Sequence, residues 1–345
     1  MRSLFLFFFL LLSFSGVCQE IQLSQYYTAP LILNPAMTGW TECFRVGTNV
    51  RSQWTNLPGG AYNTAAVFGD VFKTNLNSGF GVLFLHDAIG NSQITSNEIS
   101  LLYSYLVPAS KSVNIRLGLQ GSYIFRNAVY KNLRFADQFS GTLLVNNITN
   151  DPVTHYPTVH FPDFSTGIVI FDENNYWIGF SAHHINKPQQ NFYVVENRTN
   201  IQYSIHGGYN FYLHKNSPYI NTKKKGLRIT PTFLYKMQGK FDQMDLGVYF
   251  IKRPFLFGGW YRGIFVKKDF KITNKDAVSL HAGLRYDNFS FIYSYDFTTS
   301  RLNIKNTKGS HEISLVYEFC LSGNRQKKKP PRRMRRLPCP DFSKR

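Results

Sequence analysis

The residues best suited to chemistry are four cysteines, nine histidines and a dense run of basic side chains at the C-terminal end. Cys43, Cys320 and Cys339 are the disulfide candidates in an oxidising compartment. Three thiols allow one bridge and one odd cysteine. No His or further Cys lies beside them at zinc-ligand spacing, so no metal site is expected. His183 and His184 are adjacent, and on a strand adjacent side chains point to opposite faces, so this pair is not expected to chelate one ion. No Gly-x-Ser-x-Gly elbow and no His-Glu-x-x-His pattern occurs. His86, Asp87, Glu98 and Asp296 are loosely placed acid–base candidates, and isolated charges at strand ends are usually solvated. No enzyme activity and no cofactor is expected.

The elements that must position these residues are strands. Val113, Ile115, Leu117 and Leu119 point one way, and Asn114, Arg116, Gly118, Gln120 and Ser122 the other. Tyr203, Ile205, Tyr209, Phe211 and Leu213 alternate likewise with Gln202, Ser204, His206, Gly208 and Asn210. Side-chain period two gives each segment one apolar and one polar face. Fourteen such segments are expected, near 44–54, 61–73, 78–86, 95–107, 112–125, 164–172, 175–185, 201–214, 227–237, 240–251, 253–264, 277–286, 289–296 and 310–319. Their connections alternate between long and short, with 238–239 too short and 215–226 too long for the pattern. The fold expected is all-β: a closed antiparallel transmembrane barrel whose apolar face meets lipid and whose lumen is polar. Lumen-facing Arg116, His206, Asp245 and Glu312 are expected to pair across a filled interior rather than to line a pore. The connection 126–163 is long enough to be an external partner-binding surface or a lid.

Composition and the chain ends agree with a barrel. There are 31 Phe and 21 Tyr, with 16% aromatic residues, and barrels place such residues in girdles at both membrane interfaces. Mean hydropathy is −0.24, which suits a wall that shows lipid only every second residue. Residues 1–18 have the form of a secretory signal, with Arg2, the apolar run Leu4–Leu12, and Gly16-Val17-Cys18 as a small-x-small cleavage site before Gln19. Acylation of Cys18 is the alternative. Residues 19–42 are expected to form a short plug. The prolines Pro30 and Pro35 and the terminal Gly39 exclude a long regular element there, and Asn34, Pro35 and Ala36 form its central motif. The barrel spans 43–322. In a closed barrel the first and last strands are neighbours, so Cys43 and Cys320 share one rim, and Cys339 can reach it from the tail.

The tail 323–345 holds ten Lys or Arg and one acid, nearly half of the formal net charge of +19. Its prolines oppose a helix, so an extended solvated tail is expected. Lys327, Lys328, Lys329, Arg332, Arg333, Arg335, Arg336 and Phe342 near the end are the candidate partner-binding residues. Basic runs often bind nucleic acid, but an exported barrel meets none. Anionic lipid, peptidoglycan carboxylates or an acidic periplasmic partner are the fitting targets.

Several local motifs occur in a consistent order. They are Ser24-Gln25-Tyr26 with Asn34-Pro35-Ala36 and Gly39, then Arg51-Ser52-Gln53-Trp54 with Pro58-Gly59, then Gly79-Phe80-Gly81-Val82. Tyr176-Trp177-Ile178-Gly179-Phe180-Ser181-Ala182-His183-His184 follows, then Tyr293-Ser294-Tyr295-Asp296, Ser310-His311-Glu312-Ile313-Ser314-Leu315 and Cys339-Pro340-Asp341-Phe342. In these the chain resembles the PorP/SprF family of type IX secretion and gliding-motility membrane proteins. Met37-Thr38 departs from the aromatic and Ala that the family often shows. The resemblance implies an outer-membrane barrel that supports export or surface attachment of secreted proteins such as adhesins. Its implied partners are outer-membrane lipid, periplasmic type IX secretion components and the secreted client. The alternative is an uptake channel for hydrophobic substrates, because fourteen-stranded fatty-acid transporters also carry an N-terminal hatch with Asn-Pro-Ala.

Overall fold

The computed structural model describes residues 21–41, 43–56, 60–90, 94–110, 112–130, 133–155, 157–172, 175–192, 198–213, 227–263, 275–300 and 307–319. Fourteen antiparallel strands form one closed sheet. They are β1 (Phe44–Gln53), β2 (Tyr62–Lys73), β3 (Ser78–Ile89), β4 (Ile94–Pro108), β5 (Val113–Ala128), β6 (Thr158–Asp172) and β7 (Tyr176–His183). Next come β8 (Gln202–Tyr209, continued by Phe211–Tyr212), β9 (Arg228–Gln238), β10 (Phe241–Lys252), β11 (Phe255–Gly263), β12 (Lys275–Tyr286), β13 (Phe289–Thr298) and β14 (Ser310–Phe319). Every strand pairs with its sequence neighbours, and the seam closes where Phe44 faces Phe319 and Gln53 faces Ser310. The two pieces of β8 both pair with β9 and are separated by Asn210, whose N–H turns to Asn175 O at 2.7 Å.

The wall is inside-out relative to a soluble core. Along β5, Asn114, Arg116, Gln120 and Ser122 are buried while Leu117, Leu119, Tyr123 and Phe125 are exposed. That is the alternation a strand must show when one face meets lipid. Aromatic pairs mark both rims. Phe44–Phe319 and Tyr317–Phe319 lie near the seam end, and Tyr123–Phe125 and Tyr295–Phe297 lie near the other. No described helix is long and apolar enough to cross a membrane.

Some boundaries move outward from the sequence expectation. β3 runs on to Ile89, and β6 starts at Thr158 rather than near 164. Pro162 falls in this added stretch. It lies beyond the part of β6 that pairs with β7, Thr166–Phe171, so on that side its missing N–H breaks no ladder bond. The connection between β5 and β6 therefore shortens to 129–157. It contains a small hairpin, Phe139–Ser140 against Leu143–Leu144, turning at Gly141 with φ +63°.

Candidate functional site: the plugged lumen

Residues 21–41 run down the lumen from the mouth that carries the long connections to the end where β1 begins. Pro30–Leu33 make one helical turn and Pro35–Met37 a 3-10 turn. Asn34 joins them. Its Oδ1 accepts from Ala36 N at 2.9 Å, which caps the second turn, and Pro35 sits at the first position, where its missing N–H costs nothing. The other end of the same amide reaches the wall. Asn34 Nδ2 donates to Phe180 O at 3.0 Å and Ile168 O at 3.3 Å and lies 3.2 Å from His206 Nε2.

The wall is cut away to receive this turn. Gly118 of β5, Gly167 of β6 and Gly179 of β7 face inward on three consecutive strands. A Cβ on Gly118 would overlap the Pro35–Ala36 backbone, one on Gly167 would overlap Asn34 Oδ1, and one on Gly179 would overlap His206. Below, Thr38 O accepts from Ser104 Oγ at 2.7 Å and Arg116 Nη1 at 3.2 Å. Gly39 O accepts from the same Arg116 atom at 3.0 Å, and Gly39 N donates to Asp70 Oδ2 at 2.7 Å. Asp70 is held in turn by Arg45 through two contacts of 2.8 Å. Gly39 has φ +67°, and a side chain there would meet Gly79 Cα.

The upper plug is tied by charge. Ser24 N and Gln25 N donate to the two oxygens of Glu312 at 2.7 and 3.0 Å, and Ser24 Oγ donates to Asp296 Oδ2 at 2.5 Å. Arg51 bridges both acids, at 2.8 Å to Asp296 and 3.1 Å to Glu312. Arg262 donates to Ser24 Oγ at 3.0 Å and stands 3.4 Å from Asp245. Gln22 also contacts Gln243. Between the two clasps, Tyr26 and Tyr27 stack edge-on against Trp260 and Trp177. Ala29, Leu31, Ala36 and Met37 have no exposed surface, so the lumen is filled at that level.

The acid–base candidates do not form one site. Asp296 is locked in the ion cluster, and His86 lies on the outer face bonded to Asn97. Asp87 and Glu98 line a cavity of about 300 Å³ between the upper plug and the wall. His183 and His184 correct the expectation of opposite faces, because both line that cavity. β7 ends at His183 and His184 takes φ +59°, which breaks the alternation and turns its ring to Asp163 at 2.9 Å. Among the described residues no group of three or more metal-ligating side chains occurs. Cys43 is disulfide-bonded. Residues 1–18, Cys320, Cys339, and the tail residues Lys327, Lys328, Lys329, Arg332, Arg333, Arg335, Arg336 and Phe342 lie outside the described residues.

Two inward groups escaped the sequence argument. The glycine notch was missed because its three members are far apart in sequence. The Arg51–Asp296–Glu312 cluster could have been found, since charges on the polar face of spanning strands must find partners.

A closed antiparallel barrel with an apolar outer wall and a lumen filled by its own N-terminal segment defines a plugged outer-membrane barrel. The chain belongs to the type IX secretion system membrane protein PorP/SprF family, whose family model matches residues 16–317. No curated protein matches it. Among solved structures it is similar to the TodX deltaS2S3 mutant, a monoaromatic hydrocarbon channel, at 8% identity, 84% of this chain, 92% of that chain and a TM-score of 0.48. It is also similar to the Ralstonia pickettii toluene transporter TbuX, at 10% identity, 85% of this chain, 94% of that chain and a TM-score of 0.46.

Proposed function

We propose that this barrel is a surface-acting component of the type IX secretion and gliding machinery, supporting export or attachment of secreted proteins such as adhesins, and that it is not itself the conduit. The observation that carries this reading is the filled lumen. The plug contacts most of the wall, and its ends are tied by Glu312–Asp296–Arg51 above and by Asp70–Arg116 below. The cavity beside the upper plug ends where Ala36 and Met37 fill the lumen, so a polypeptide client has no open path past the plug. The barrel then works through its rims: the external connections, and the basic tail that follows β14. The hydrophobe-uptake reading draws support from the partly apolar cavity beside the upper plug, but it needs a route past the plug.

The tail supplies the test. Its charge gives long-range attraction to an acidic periplasmic partner, within a screening length of about 8 Å at physiological salt. Deleting residues 323–345 in the native host should leave a heat-modifiable barrel in the outer membrane and abolish display of the client on the cell surface. Replacing the tail's Lys and Arg with Gln should weaken partner recovery from native outer membranes and flatten its salt dependence. Normal client display by the tailless barrel would move the partner site to the rim or the plug.

A further inference from the structure

The connection between β5 and β6 carries an exposed apolar ridge. β5 passes its rim aromatics Tyr123 and Phe125 and runs on to Ala128, about 10 Å further at roughly 3.3 Å per residue. Beyond it, at the mouth with the long connections, stands the hairpin Phe139–Ser140 against Leu143–Leu144. Leu143, Val145 and Ile148 are 72%, 63% and 73% exposed, and Phe139 and Leu144 are exposed as well. Phe139 lies opposite Leu144, so by strand alternation Leu143 and Val145 share the other face. Both faces of the hairpin are therefore apolar, and no charged residue occurs from Phe139 to Asn150. Exposed apolar surface of this kind outside the lipid marks an interaction site.

The ridge is held in shape from below. Gln138 is buried; its Oε1 accepts from Phe135 N at 2.8 Å, its Nε2 donates to Asn147 O at 3.0 Å, and its backbone O accepts from Val145 N at 2.9 Å. Asp137 accepts from Thr149 Oγ1 and Asn150 N, each at 2.7 Å. An element shaped in advance loses little freedom on binding. The main chain indicates the occupant. Because the Val145 N–H points inward to Gln138, the N–H and C=O of Leu144 point outward, and they have no hydrogen-bond partner among the described residues. An open strand edge is not tolerated in lipid hydrocarbon, which argues against a lipid anchor. An extended polypeptide satisfies it, placing alternate side chains on the apolar faces. The dozen residues of the hairpin also fall short of the roughly 20–30 a side that a stable interface between two proteins takes, so the hairpin alone does not hold two copies together.

We propose that this hairpin docks the secreted partner on the external face, taking an extended apolar segment of that protein along Leu143–Val145. The inference rests on the surface-acting role proposed above and names the place on the external rim where the client is held.

The test uses the full chain in its native host. The client is the surface protein lost from intact cells when the whole gene is deleted, read by surface proteomics. Two variants then probe the hairpin: Leu143→Glu with Val145→Glu charges one face, and Leu144→Pro removes the outward N–H. Each should lower the client on cells at least tenfold and release it into the medium, with heat-modifiable mobility as in the parent. Leu133→Glu, on the same connection but outside the hairpin, should display the client normally. Parent-level display by both hairpin variants would overturn this inference alone, and a gene deletion that removes no surface protein would overturn the proposed function with it. Leu143→Cys separates the other occupants. Its cross-linking to a second copy of the chain in intact cells would give the ridge to self-association. A blue shift of an environment-sensitive dye on that cysteine, in liposomes of phosphatidylethanolamine and lipopolysaccharide without the client, would give it to the lipid. Either result would overturn the proposal.

Discussion

Gly118→Ala should unseat the plug without breaking the barrel. Gly118 pairs with Gly167 through backbone groups that the substitution leaves alone, so the β5–β6 ladder is preserved. The added Cβ projects into the Pro35–Ala36 backbone, which is neither a flexible side-chain end nor free to retreat. Asn34 is fixed to Phe180 O on one side and Thr38 to Ser104 on the other. Overpacking of this kind costs about 1–3 kcal/mol. Backbone overlap belongs at the upper end, and 3 kcal/mol is roughly a 150-fold fall in the ratio of seated to unseated plug. The matched control is Gly121→Ala on the same strand. Its Cβ would meet Phe164 Cε1 at 3.8 Å, an ordinary contact on the lipid face. In planar bilayers the parent and Gly121→Ala should be silent, and Gly118→Ala should conduct. Heat-modifiable mobility on gels should be the same for all three. A Gly118→Ala barrel as silent as its parent would mean that the notch does not set the plug's seat.

Leu117→Arg and Arg116→Leu should fail in different ways. The first puts a charge on a side chain 47% exposed to lipid, costing about 2–4 kcal/mol at the midplane, and should lower the folded fraction in liposomes. The second should fold but leak, because Gly39 O loses the Arg116 donor recorded for it; equal folding yields with no leak would refute both assignments. Cys43 is disulfide-bonded, and non-reduced peptide mass spectrometry should find it joined to Cys320. On the chain-entropy model such a bridge stabilises by about 4.7 kcal/mol for a 100-residue loop and slightly more here. In the outer hairpin, the Asn150 N–H and then the Thr149 hydroxyl hold the Asp137 carboxyl below the usual carboxylate value. Its folded value is depressed, so its stabilisation is present above the unfolded value of about 3.9 and is lost as pH falls through the folded value. Amide exchange at Asn150 should therefore stay slow at pH 5 and accelerate only in stronger acid, a dependence that Asp137→Asn should abolish.

The number of strands was legible because lipid imposes a period of two on every spanning segment, whatever its neighbours. The lipid side of β5 and β8 could be assigned residue by residue for the same reason. What failed was local. His184 leaves the alternation through a left-handed backbone that no hydrophobic pattern encodes. The start of β6 fell inside what read as the long connection 126–163, because only pairing with β5 shows that Thr158–Asp163 is strand. The plug's proline, glycine and Asn-Pro-Ala composition excluded a long element, but the partners of Asn34 come from residues more than 130 positions away. The motifs around Arg51, Asp296 and Glu312 stand far apart in the sequence, and only closure of the sheet shows that they are one cluster.

That cluster links two events of assembly. Arg51 belongs to the first strand and Glu312 to the last, and the two face each other across the seam. Asp296 is on the strand next to Glu312, and Arg262 is two strands further round. Ser24 and Gln25 of the plug bind the acids that Arg51 bridges. Before β1 meets β14, Glu312 and Asp296 lack Arg51, and the upper half of the plug's binding site does not exist. Once the seam closes, the plug supplies three donors from Ser24 and Gln25 to two buried carboxylates that would otherwise be short of partners. A buried ion group missing one member is strongly destabilising, by about 3–5 kcal/mol. Seam and plug therefore stabilise each other. A segment of about twenty residues that looks like an appendage in sequence is part of what makes the barrel a single closed unit.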